Sequence, residues 1–270
     1  MRILSGKALR PTLLHSLEQD PLLSSLSFLL VREEDGADAA AYLAGIEKTL
    51  SSLKIPYEEL LLRKEESEQE AKARLLSQMP SRMVILAQPL LSSHAVLTES
   101  LPALQDPDMQ TLENLGRLAS GDLGYLPATA QAVHYLLDAY SIDLAGKKVL
   151  VLGRSNVVGK PLSLLALKEA AFVSVAHSKV PLEKIRSEAK ESDVLFLATG
   201  KEGLLRKEDL KKGAIVVDCG FHDGKGDLGF VPDEEDEISY TPVPGGVGAL
   251  TRLMVVKNAL FLLRKSLRKN

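Results

Sequence analysis

Residues 153–159 read Gly-Arg-Ser-Asn-Val-Val-Gly, directly after the apolar run VLVL and directly before the helical pattern of residues 160–167. A strand that breaks at glycine and restarts as a helix suits phosphate. Glycine lets the backbone turn tightly and approach a ligand, and the first N–H groups of the helix point at the anion. The spacing is G-x-x-x-x-x-G rather than G-x-G-x-x-G, so taken alone it fits a plain turn of a doubly wound sheet as well as a nucleotide site. The next strand end shifts the balance. A site for NAD places an acid about 20 residues on to hold the ribose 2′-hydroxyl; this chain has His177, Ser178 and Lys179. A hydroxyl and a cation, with Arg154 in the turn itself, suit a 2′-phosphate through charge-assisted hydrogen bonds and point to NADP. Singly, Arg154 also reads as a loop charge, Ser178 as a cap and Lys179 as surface.

Such residues need a sheet to hold them. KKVLVLG (147–153), AFVSVAH (171–177), VLFLAT (194–199) and AIVVDCG (214–220) recur at regular intervals with helical stretches between them. Near-continuous apolar strands joined by helices predict a parallel sheet covered on both faces. Upstream, the pattern predicts strands at 26–31 and 83–88 and helices over 39–53 and 66–79. Residues 89–108, with Pro89, Pro102 and Pro107, read as loops and short turns. A helix starting near Pro127 bridges into a second domain. Residues 248–270 carry apolar residues at helical spacing and end in a basic turn. The expected class is α/β, with domains over 1–126 and 127–247 and the closing helix, about 248–270, packing back on the first.

Composition narrows the partners. The 270 residues are 45% apolar and carry 33 Lys and Arg against 36 Asp and Glu, a net charge of −3, which leaves no basic footprint for nucleic acid. Cys219 is the only cysteine, so no intrachain disulfide forms. No basic-then-apolar leader and no membrane-length apolar run is seen. A cytoplasmic protein acting on small molecules, with no metal site, is the expectation.

GRSNVVGKP (153–161), AHSK (176–179), GAIVVDCG (213–220) and TPVPGGVGALT (241–251), in that order and spacing, resemble the methylenetetrahydrofolate dehydrogenase/cyclohydrolase (FolD) family. Weaker similarity runs from SGKAL (5–9) through NLGRLASGDLGYLPAT (114–129). The resemblance implies two α/β domains with a cleft between them, the first folate-binding and the second a Rossmann-like NADP domain, assembled as a homodimer. It implies oxidation of 5,10-methylenetetrahydrofolate to the methenyl compound, then hydrolysis to 10-formyltetrahydrofolate. Gly153, Arg154 and Ser155 would hold cofactor phosphates and Ser178 the 2′-phosphate. Phe221, where the family has isoleucine, would lie beside the nicotinamide, and Thr251 in the loop after PVPGGVG, whose Gly245, Gly246 and Gly248 would let the backbone line both ligands.

On the substrate side the resemblance places Tyr42, Gln88 and Asp108. Asp108 matches the aspartate of D-G-F-H-P, but the residues after it read MQTL; Thr129 keeps its place between Ala128 and Ala130. The family lysine, four residues after the tyrosine, is here Ile46. Lys48 lies about 200° further round a helix and cannot replace it; Lys64 and Lys72 are other lysines of this half. Tyr42 also fits an apolar stripe with Ile46, Leu50 and Leu53. Without an ammonium near the folate bridge, the hydrolytic step loses its proton-transfer partner and is expected to be weak or absent. The eroded substrate side also leaves open an NADP-binding pseudoenzyme and a dehydrogenase for a different small substrate.

Overall fold

A computed structural model describes residues 1–268 apart from 92, 93, 95, 123 and 223, and Asp38 without its side chain. The expected loop over 89–108 therefore falls partly, at Ser92, Ser93 and Ala95, outside the described residues. In chain order the elements are β1 (Arg2–Ile3), α1 (Gly6–Glu18), β2 (Phe28–Glu33), α2 (Ala37–Ser52), β3 (Tyr57–Leu62) and α3 (Glu68–Gln78). There follow β4 (Met83–Leu86), α4 (Leu97–Ser100), α5 (Leu112–Ala119), α6 (Ala128–Ala139), β5 (Lys148–Leu152) and α7 (Gly159–Lys168). The chain closes with β6 (Phe172–Ala176), α8 (Leu182–Glu191), β7 (Val194–Leu197), β8 (Ile215–Asp218), β9 (Ser239–Tyr240) and α9 (Gly248–Leu267). Contacts divide it into two compact units, Met1–Thr12 with Leu118–Thr251, and Leu13–Arg117 with Arg252–Asn270.

The first unit holds a six-stranded sheet in the order β1-β9-β8-β7-β5-β6, every pair parallel. β7 is buried along its whole length and β5 from Val149 on, as strands covered on both faces must be. The chain leaves β5 for β6 on one side and then returns to β7 on the other. This creates a switch point where the carboxyl ends of β5 and β7 diverge, the position at which open α/β sheets bind ligands. β1 joins the far edge, Arg2 opposite Ser239, so the first twelve residues belong with this sheet rather than with the segment they precede. β6 forms the other edge and leaves Phe172 and Val175 exposed.

The second unit contains a parallel three-stranded sheet, β3-β2-β4. Leu29, Val31, Leu60, Leu62, Val84 and Leu86 pack on Ala71 and Leu75 of α3. Ser67 starts α3 with a reciprocal capping box to Glu70, satisfying two of the helix's otherwise unpaired N–H groups. From Arg252 onward α9 belongs to this unit, and its buried Asn258 donates to the Pro107 carbonyl at 2.9 Å. Among the described residues no helix is long and apolar enough to cross a membrane.

Candidate functional site

At the switch point, Gly153 ends β5 with φ +125°, and a methyl there would overlap the Ala198 carbonyl beyond β7. Only glycine fits that crossing. Gly159, the first residue of α7, sits as tightly against the Gly153 carbonyl. Between them the Ser155 hydroxyl accepts from the amides of Val158 (3.1 Å) and Gly159 (3.4 Å). Two of the helix N–H groups expected to face an anion are thus already satisfied. What the turn offers instead is the Ser155 hydroxyl, whose own proton is left to donate, and the exposed Arg154 side chain. A cavity of about 420 Å³ opens here, lined by Gly153, Arg154, Ser155, His177, Ser178 and Thr199 among others. His177 Nδ1 accepts from the Lys179 amide at 3.2 Å, which shapes the turn that carries the exposed Ser178.

Four of the six residues expected to hold a cofactor therefore meet at one opening. The other two lie outside its lining. Phe221 is 72% exposed beyond β8, and the Thr251 hydroxyl, in the first turn of α9, donates back to the carbonyl of Val247 just before the helix at 3.2 Å. In the PVPGGVG loop the glycines have separate causes. Gly245 needs its φ of +109°; a methyl on Gly246 would come within 2.6 Å of the Pro242 carbonyl; at Gly248 a methyl meets nothing within 4 Å. Packing inside the chain thus accounts for Gly246 without any ligand.

Two aspartates that the sequence reading did not single out brace the turns that follow β8 and β7. Asp218, at the end of β8, accepts from the amides of Gly220, Asp227 and Leu228 at 2.8, 3.1 and 2.9 Å. Burial raises its carboxyl above the usual range despite those three donors. Asp227 Oδ2 takes the amide and hydroxyl of Thr199 and the amide of Gly200, fixing the turn after β7. Cys219 between them is half-buried, and desolvation first and then the two carboxylates push its thiol up.

In the second unit, the Tyr42 hydroxyl on α2 donates to Asp108 Oδ2 at 3.1 Å. Burial first and Asp108 second raise its phenol well above 10, with Arg252 opposing, so it stays a proton donor. Tyr42 is half-buried with a polar partner, unlike the apolar residues of its stripe: Ile46 is 1% exposed and lies in the core. Lys48, Lys64 and Lys72 are exposed. The cation that reaches this face is Arg252, whose guanidinium lies directly on Gly45; a methyl at Gly45 would overlap it.

Gln88 does not join Tyr42. Its amide donates to Gln110 Oε1 at 3.0 Å and its oxygen accepts from the Leu90 amide at 3.2 Å. Gln110 in turn donates to the Leu86 carbonyl at 2.8 Å. Buried Asp106 accepts from the amides of Gln110 (2.9 Å) and Thr111 (2.8 Å) and from Asn114 Nδ2 (2.9 Å). The segment after Asp108, unlike D-G-F-H-P in sequence, is thus anchored through Asp106. Among the described residues no cluster could hold a metal ion.

Residues 127–267 match the family model described as tetrahydrofolate dehydrogenase/cyclohydrolase, NAD(P)-binding domain. A bifunctional protein FolD of Clostridium botulinum is 32% identical over 253 residues, covering 90% of this chain and 88% of the relative. Among solved structures, the FolD methylenetetrahydrofolate dehydrogenase/cyclohydrolase of Campylobacter jejuni superposes with a TM-score of 0.88 at 29% identity, covering 98% of this chain and 99% of that one. The Trypanosoma brucei enzyme, solved with NADP and an inhibitor, gives 0.88 at 25% identity, with 98% of each chain covered.

Proposed function

The chain belongs to the tetrahydrofolate dehydrogenase/cyclohydrolase family, and on that premise we propose that it oxidises 5,10-methylenetetrahydrofolate to the methenyl compound with NADP. The observation that carries the reading is the opening at the switch point. A glycine-walled cavity presents Arg154, a Ser155 hydroxyl with its proton free, and Ser178 beside Lys179, with no acid in the β6 turn. Such a set favours a 2′-phosphate over a bare hydroxyl. Gly153, at φ +125°, brings the backbone of the turn to the rim of this cavity, where a dinucleotide would lie close to backbone. When bound, NADP supplies the hydride acceptor. The chain positions it and holds the folate, which in this reading is the task of the Leu13–Arg117 unit with α9.

There the Asp108 carboxylate accepts hydrogen bonds from the amino edge of the pterin, and Tyr42, kept protonated, fixes that carboxylate by donating to it. Hydrolysis of the methenyl product is slow or absent. It requires a group that takes up a proton, position 46 carries an isoleucine in the core, and the guanidinium near Tyr42 offers donors only. The exposed β6 edge, with Phe172 and Val175, is the face on which a second copy would pair in a cytoplasmic homodimer.

One assay tests the reading: purified protein with 5,10-methylenetetrahydrofolate and NADP, following methenyl formation and its decay spectrophotometrically. Product that accumulates and decays at the uncatalysed rate is expected. Enzyme-accelerated decay would refute the hydrolytic half. No product, with NADP still bound, would replace the reading with a pseudoenzyme or another substrate.

A further inference from the structure

Glycine in a helix interior is disfavoured against alanine, and its retention there needs a reason. Gly45 sits mid-way along α2, three residues after Tyr42 and on the same face, and the reason lies above it. The Arg252 guanidinium rests on the bare Cα, where any side chain would displace it. Arg252 is an exposed residue, and among the described residues its guanidinium forms no hydrogen bond or ion pair. It is close enough for its charge to be felt at the Tyr42 hydroxyl, which in turn is bonded to Asp108. A rigid fork of five donors is thus seated near Tyr42, whose hydroxyl is bonded to a carboxylate acceptor, without being spent on the fold.

That pairing has a chemical complement. The 2-amino-4-oxopyrimidine edge of a pterin presents, in sequence, an amino donor, a ring N–H donor and a carbonyl acceptor. A carboxylate takes the two donors and leaves the carbonyl facing whatever stands next to it. Resting on the folate reading above, we propose that Arg252 is a substrate-binding residue that donates to the pterin 4-oxo group, with Gly45 as the seat that positions it. The guanidinium gives this face the positive charge that an aliphatic residue at position 46 cannot, and it brings donors but no proton acceptor. Binding and orientation of the pterin are thereby separated from proton transfer. That separation is the one a dehydrogenase with a failing hydrolytic step would have.

The test compares two ligands on the full-length protein saturated with NADP, tetrahydrofolate and its 4-amino counterpart, by titration calorimetry. A charge-assisted hydrogen bond to the carbonyl predicts that wild-type protein prefers the 4-oxo ligand by about 10- to 100-fold. Arg252→Ala should cut that preference several-fold, down to the part set by the ring N–H that the 4-amino ligand cannot offer Asp108, while leaving the circular dichroism spectrum unchanged, because the side chain is exposed and makes no structural bond. Arg252→Lys should recover part of it. Gly45→Ala, a change that favours the helix itself, should lower the preference by unseating the guanidinium. An Arg252→Ala variant that keeps the wild-type ratio, or weakens both ligands equally, overturns the assignment alone. Wild-type protein that binds neither ligand overturns the folate reading and the assignment with it.

Discussion

Gly153→Ala is the most direct probe of the switch point, because two separate costs meet at that residue. Alanine at φ +125° enters a region that L-residues avoid, at about 1–3 kcal/mol. The new methyl also overlaps the Ala198 carbonyl, a backbone atom tied into the end of β7 that cannot rotate aside, and such overpacking adds about 1–3 kcal/mol. A total of about 2–6 kcal/mol lowers the melting temperature by roughly 4–24 °C in a chain of this size. Gly200→Ala is the control, since Gly200 has φ +65° but nothing within 4 Å of an added methyl; only the backbone term, about 1 kcal/mol, applies. The assay is thermal unfolding with and without NADP. At a concentration about 100 times its dissociation constant a ligand stabilises by about 2.7 kcal/mol. The Gly153 variant should lose most of that increment because the wall of the cavity has moved, whereas the Gly200 variant should keep it. Equal melting temperatures for the two variants, or a full NADP increment in the Gly153 variant, would refute the claim that the carbonyl contact shapes the site.

Tyr42→Phe should remove an alkaline loss of stability. The folded phenol is raised above the unfolded value of 10, so the folded state holds a proton that the unfolded state releases. Stability is therefore fully present below pH 10 and falls as the pH rises through the folded value; denaturant titrations between pH 9 and about 11.5 should show that fall in wild-type protein and a flatter profile in the variant. Asp218→Asn replaces one acceptor of backbone N–H groups with a donor and should cost about 1–3 kcal/mol in chemical unfolding. An unchanged midpoint would mean that the three bonds do not hold the segment after β8 in place.

Where burial alone decides an element, the sequence pattern is readable. β5, β7 and β8 are short apolar runs with no alternation, and they lie inside the sheet between other strands. β3 escapes the same reading because its first half, Tyr-Glu-Glu, carries two exposed acids. They are matched by arginines that are remote in sequence, Arg82 with Glu58 and Arg32 with Glu59. β1 and β9 are two residues each, too short for any periodicity, and exist because their ends find partners in an established sheet. The assignment of residues 1–12 to that sheet follows from pairing and leaves no local trace.

The same division runs through the candidate site. A turn such as GRSNVVG is local: the glycines, the hydroxyl and the cation that meet at its opening are neighbours in sequence, so their chemistry can be read before the fold is known. The Tyr42–Asp108 pair spans 66 residues and was reachable only through family resemblance, with the stripe of α2 arguing against it. Arg252 had no such guide. Position 46 directs its side chain into the core, and a one-residue reading of the helix concludes that the cation is gone. Yet position 45 carries glycine, and a glycine inside a good helix marks a close approach by something else. The absence of a side chain at one position and an exposed guanidinium more than 200 residues away are a single feature, legible only when both ends are in view. If a charge needed at one place on a surface can be delivered from another element, the loss of a residue from its expected position does not by itself remove the charge. It removes only what that residue alone could do, which for a lysine is to exchange a proton.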